Sequence, residues 1–472
     1  MLPEVPERAL TELGRTEGGA DTLALLVRDQ DTRRLLLLRA VLDAAEAADP
    51  AVCPAALRAR LREDWALLTE ADRAAPADGR ASPARARLIY PLTGPWARRC
   101  LRGLRGVAPT DSERRELAHD LAYFSAVAAV AAARAGISFT TPLTAREGRL
   151  ALPSLGVLRT DDRNDTVVEV AHDKGVMTLR RPDAQDVIVH LERGTGAWSA
   201  ALAWTSAYAL PGLLPGAEPM PLDDLDPYRV PPREPDQYAL SGPAAPDEAE
   251  RKRWLQTWSG TAAVLRTGGD HRLTEALELL RCLVPLEMPP GADGRGSCSG
   301  TRREAFGALL SSAPATPVAF AATLVHEVQH TKLAALCEMV TLHQADPTAR
   351  YFAPWRPDSR PYEGLLQGAY AHLALADFFQ RRALTTVRDG RESAWAQHAR
   401  YRAQVGAALP ALVGSPDLTV RGRTFVDEMV AAYERMAEHP APRGHTARAR
   451  AYVKAVRALW TQRQTPAPPT NR

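Results

Sequence analysis

Residues 317–340, PVAFAATLVHEVQHTKLAALCEMV, are the stretch from which the rest of the chain is read. Their apolar residues recur at helical spacing, and the run from Val318 to Val325 makes the predicted helix a buried one. At its centre lies His326-Glu327-Val328-Gln329-His330, an HExxH sequence. Two imidazoles four residues apart sit on one side of a helix, one turn apart, so both can reach a single metal ion. Glu327 is a carboxylate held beside whatever that ion activates; in a zinc peptidase it is the general base for water at the metal. Histidines buried on an apolar helix are costly unless they coordinate something. The plain alternative is a helix with two hydrogen-bonded core histidines.

The peptidase reading needs a third ligand at a set distance, and the sequence does not supply one. The extended form HExxHxxGxxH requires Gly at 333 and His at 336, where this chain has Leu333 and Leu336. No glutamate occurs between Glu338 and Glu363, and Glu338 lies two turns beyond His330, about 12 Å along the axis. The next long helical segment offers Glu363, Gln367, His372 and Asp377. Glu363 and Gln367 share a face, and His372 lies about 140° around from Gln367. Imidazole is the better ligand for iron or zinc, which selects His372, with Glu363 next. Before that helix, Tyr351 to Pro361 is aromatic, cationic and stiffened by prolines; Arg356 and Arg360 suit capture of a carboxylate, the alternative being a solvated loop.

Working outward, the fold class expected is α+β and predominantly helical. Residues 1–155 read as a helical N-terminal region, with a helix from Glu113 to Ala135 stopped at Gly136, and His119 in it as a surface or capping residue. Residues 156–246 read as a small antiparallel sheet, built on 166–170, 176–179 and 187–191, followed by a proline-rich connection. Within that connection, Asp223, Asp224 and Asp226 could bind a divalent cation, but without an EF-hand pattern a structured turn is the expectation. Residues 247–464 read as a helical HExxH domain, with helices over 253–265, 273–283, 317–340, 361–382, 392–412 and 422–437; residues 465–472 read as a disordered tail.

Composition narrows the function classes. A net charge of +3 over 472 residues gives no global reason for binding nucleic acid or a membrane surface. The start is acidic and proline-broken, no apolar segment is long enough to span a bilayer, and the five cysteines lack CxxC spacing. A cytoplasmic protein with reduced thiols is expected. Lysine is scarce, occurring at Lys174, Lys252, Lys332 and Lys454, so Lys332 beside the motif stands out.

Leu324 to Leu333, Tyr351 to Pro361 and Gly364 to Ala371 together resemble the HExxH-motif peptide-modification proteins of bacterial ribosomal-peptide gene clusters, and Asp223 to Arg229 looks like that family too. The resemblance covers about residues 220–440. It implies iron(II)- and 2-oxoglutarate-dependent β-hydroxylation of side chains in a precursor peptide rather than proteolysis. His326 and His330 would then hold iron, Glu327 would orient a ligand, and Lys332, Arg356 or Arg360 would clamp the distal carboxylate of 2-oxoglutarate. The N-terminal region would have a peptide-recognition role. A zinc metallopeptidase trimming such a precursor, and a non-catalytic peptide-binding scaffold, are the alternatives.

Overall fold

The computed structural model describes residues 4–74, 82–106, 109–160, 164–182, 184–230, 241–289, 298–387 and 389–464; the tail 465–472 lies outside them. Thirteen α-helices and three small sheets are present among these residues, an α+β fold dominated by helix. Contacts divide the chain into two units that interleave in sequence. One unit comprises residues 1–29, 256–280 and 314–472; the other comprises 30–255 and 281–313.

The first unit is helical. The motif helix, Pro317–Met339, is started by Thr316, whose hydroxyl accepts from Ala319 N, with Pro317 in the first turn where its missing N–H costs nothing. It packs on the helix Tyr362–Thr385, which packs on Asp389–Val413, and the latter on Arg443–Gln464. Phe320, Leu324, Leu333 and Leu336 from the motif helix and Leu365, Leu366, Leu373 and Phe378 from its neighbour are buried.

The second unit joins helices to sheets. Asp111–Arg134 opens with a capping box between Thr110 and Glu113 and closes at Gly136, with φ of 78°. Ala126, Ala129, Val130 and Ala133 on this helix share a core with Leu143, Val168, Val170, Met177 and Val189 of an antiparallel sheet. The three β-branched runs form that sheet, and Lys174-Gly175, both at positive φ, make the two-residue turn between Thr166–Asp173 and Val176–Arg180. The sheet starts at Phe139, earlier than the sequence reading placed it.

The helix expected over 273–283 stops at Leu279, and Cys282–Leu286 is a strand. Its five residues are all buried, and it pairs in parallel with Ala308–Ser312 and with Met220–Leu222. A continuous apolar run without alternation is what a strand covered on both faces requires. This mixed sheet was not foreseen.

Candidate metal centre in the helical unit

The motif helix brings His326 and His330 together as its periodicity requires. Their rings meet edge to face with centroids 4.7 Å apart, and their Nε2 atoms are 3.1 Å apart. Two imidazole nitrogens bound to one tetrahedral ion would be about 3.3 Å apart, so the pair is already at ligand spacing.

The other ring nitrogen of His330 is held from the neighbouring helix. Gln367 Oε1 lies 3.0 Å from His330 Nδ1, and Gln367 Nε2 donates to Glu363 Oε1 at 3.2 Å. Glu363 Oε2 in turn is 2.8 Å from His343 Nε2, while His343 Nδ1 accepts from Ala345 N. The carboxylate fixes which end of the Gln367 amide faces His330: the oxygen does. Nδ1 of His330 must then carry the proton, leaving Nε2 with its lone pair toward His326. Glu363 and Gln367, both weighed as third ligands, are placed behind His330 instead, as an orienting relay.

His372 is the histidine that reaches the pair. Its ring centroid is 5.5 Å from that of His326, it is buried, and its Nδ1 has no hydrogen-bond partner among the described residues. Imidazoles sharing one ion through ring nitrogens have centroids about 5 Å apart, so this spacing fits a third ligand. Among the described residues no group of three or more His, Cys, Asp or Glu side chains is placed to hold a metal ion; the arrangement is a close pair, His326 and His330, with a third imidazole beside it. Burial, and then the neighbouring His330 and His372, hold His326 well below the ordinary histidine range. Burial, followed by His330 and Arg400, brings His372 down to about 3. Both are therefore neutral near pH 7, the form in which imidazole binds a metal. Glu327 is 3% exposed, buried beside the pair.

His372 is fixed by aromatic neighbours that the sequence did not single out. Trp355 meets its ring edge-on at 4.7 Å and Tyr401 at 5.1 Å. Trp355 can lie there because residue 368 is glycine: a Cβ at Gly368 would fall 2.2 Å from the indole. The loop carrying Trp355 is held by the C-terminal helix, where Trp460 donates to Ser359 and Arg457 stacks on Phe352. In the same loop Arg356 Nε donates to Asp358 at 2.6 Å, and the backbone of Arg360 pairs with Tyr351.

Lys332 is placed differently from the expectation. It is fully buried, and its ammonium donates to Glu275 Oε1 at 2.6 Å, Gln329 Oε1 at 3.0 Å and the Thr16 carbonyl at 3.1 Å. All three donors are committed, so Lys332 cannot clamp a cofactor carboxylate. It belongs to an internal ion cluster in which Arg272 bonds Glu275, Asp377 and Thr16. Burial draws Lys332 down to about 8, whereas Glu275, which burial would raise, is held below its ordinary value by Lys332, Arg272 and His271. Both remain charged at neutral pH.

His271, in the same cluster, is pushed down to about 4 by burial and by Arg272. It stays neutral in the folded chain while an unfolded histidine takes up a proton below pH 6.5. Proton uptake by the unfolded state lowers stability as pH falls from 6.5 toward 4, at up to about 1.4 kcal/mol per pH unit for each such group. The urea midpoint is expected to fall steadily across this window, and less steeply in His271→Asn; equal slopes would show that His271 is not responsible.

In the second unit, Asp223 to Arg229 forms the expected turn. Asp223 accepts from Asp226 N and Tyr90 Oη, and Asp226 from Tyr228 N and Tyr123 Oη. Burial, then Asp223, raises Asp226 to about 7. His119 bonds Asp165 at the surface. No helix among the described residues is long and apolar enough to cross a membrane.

No protein-family model matches this sequence, and comparison with characterised proteins gave no match either.

Proposed function

We propose that His326, His330 and His372 hold a redox-active iron(II) ion and that the protein hydroxylates a side chain of a ribosomally made precursor peptide at the expense of 2-oxoglutarate. The observation that carries the metal site is the pair of imidazoles with Nε2 atoms 3.1 Å apart, backed by a relay that leaves the His330 Nε2 lone pair facing inward. The choice of oxidation over hydrolysis rests on the sequence resemblance and on the absence of third ligands at peptidase spacing. When bound, the metal would supply oxygen activation, one atom of dioxygen entering a C–H bond of the peptide and the other entering succinate as carbon dioxide leaves.

This chain's own residues have narrower tasks. Gln367 keeps the His330 proton on Nδ1, Trp355 and Tyr401 confine the His372 ring, and Glu327 places a carboxylate in a buried site beside the imidazoles. With Lys332 buried among its own partners, the candidates for the cosubstrate carboxylate are Arg356, whose Nε already donates to Asp358, and Arg360 on the loop. Arg400 joins them, its charge lying close enough to His372 to lower its pKa. A zinc peptidase would use the same histidines, with Glu327 as base.

Gln367→Leu removes the acceptor on His330 and is expected to weaken metal binding by about 10–100-fold. Competition against a chromophoric chelator measures this, and unchanged affinity would take Gln367 out of the relay. The function itself is tested by mass spectrometry of a precursor peptide co-expressed with the protein. Gain of one oxygen atom is expected, loss of residues would favour the peptidase, and an unmodified peptide would remove both.

A further inference from the structure

Two clefts adjoin in the second unit, separated by Pro227 and Tyr228, which line both. One runs along the helix Thr93–Leu104 and is lined by Arg98, Arg102 and Arg105 above Leu37, Pro95 and Leu101. Arg98, Arg102 and Arg105 are exposed. Among the described residues they form no ion pair or side-chain hydrogen bond; the fourth arginine on this wall, Arg99, is taken by Asp120 and Glu116. Three cations near the end of a helix complement its dipole, but that does not require them to face one cleft.

The second cleft continues the same charge. Arg149 and Arg229 line it, and the pKa of Arg149 is lowered by burial and then by repulsion from Arg229 and Arg159. The acids lining the two clefts are already engaged: Glu304 binds Arg302, and Glu147 lies 3.8 Å from Arg146. A continuous surface therefore carries an excess of guanidinium groups over an aliphatic floor.

We propose that these adjoining clefts bind an acidic polypeptide segment in extended form, its carboxylates on Arg98, Arg102, Arg105 and Arg149 and its apolar side chains on the floor. The spacing suits this partner. Arg98 and Arg102 are about 6 Å apart along the helix, close to the roughly 6.6 Å between side chains on one face of a strand. A segment alternating acidic and apolar residues presents its carboxylates to the arginines from one face and its apolar side chains to the floor from the other. Single-stranded nucleic acid would need free aromatic platforms for its bases, and among the described residues the rings lining the two clefts are bonded elsewhere, Tyr228 to Asp120, Tyr123 to Asp226 and His119 to Asp165. This surface stands independently of the metal chemistry, so its failure and that of the hydroxylase reading are separate results.

Fluorescence anisotropy on the full chain tests it, using a labelled decapeptide alternating Glu and Val, its Lys/Val counterpart, and a labelled single-stranded RNA decamer. The Glu/Val peptide is expected to bind alone of the three, less tightly as salt is raised, and about tenfold more weakly in the exposed-site variant R98Q/R102Q/R105Q. Arg149→Gln, in the second cleft, is expected to weaken it several-fold. Absence of Glu/Val binding, RNA bound as tightly as the peptide, or unchanged affinity in the triple variant would overturn the proposal. Should the triple variant unfold, the ranking of the three probes on the native chain decides.

Discussion

Lys332→Met is expected to lower the stability of the helical unit by about 3–5 kcal/mol, the cost of leaving one member of a buried ion pair without its partner. Lys332 and Glu275 are 0% and 1% exposed and 2.6 Å apart, so no water can take over from the lost ammonium. Arg272 remains on Glu275, which limits the loss, but Gln329 and the Thr16 carbonyl also lose a donor. The methionine keeps most of the volume, so packing contributes little. Urea denaturation followed by circular dichroism measures the effect. Adding Glu275→Gln should recover part of it, because the orphaned charge is then gone; a double variant no better than the single one would show that the pair is not what is being measured. The same variant separates two roles for Lys332. Its folded fraction should retain an unaltered KM for 2-oxoglutarate, since the ammonium faces Glu275.

His330→Ala is expected to abolish metal-dependent activity, with a fall of at least about a thousandfold, because one of the three proposed ligands and the end point of the Gln367 relay disappear together. His372→Ala should behave in the same direction. Stability provides an independent readout. A metal bound to the native chain at a hundred times its Kd stabilises it by about 2.7 kcal/mol, so wild type should gain thermal stability on metal addition and His330→Ala should not. A variant that keeps the metal-induced shift would place the ligands elsewhere.

The features legible in the sequence were local ones. The pairing of His326 with His330 follows from four residues on one helix, and the sheet from β-branched runs separated by Asp, Gly and Pro turn signals. His372 was chosen on ligand chemistry, and the structure places it beside His326. Lys332 was read from its scarcity, a property of composition that carries no information about direction. Two residues after His330 it points about 200° around the helix, away from the side that carries the two histidines. Its partner Glu275 comes from a helix 57 residues earlier, a contact that no local pattern announces. Gln367 and Glu363, which share a face, are weighed in the sequence as alternative third ligands behind His372 rather than as partners of His330; the difference is one shell of contacts, below what helical spacing can resolve. The helix expected over 273–283 takes in the first two residues of the strand Cys282–Leu286, because a short apolar run reads equally as helix or as buried strand.

The central claim, that His326, His330 and His372 form an iron site, is tested most directly by anaerobic titration of the purified chain with iron(II). The expected result is one tightly bound iron per chain in wild type, lost in His326→Ala at unchanged circular dichroism. No iron bound by wild type, or equal binding by His326→Ala, would contradict it.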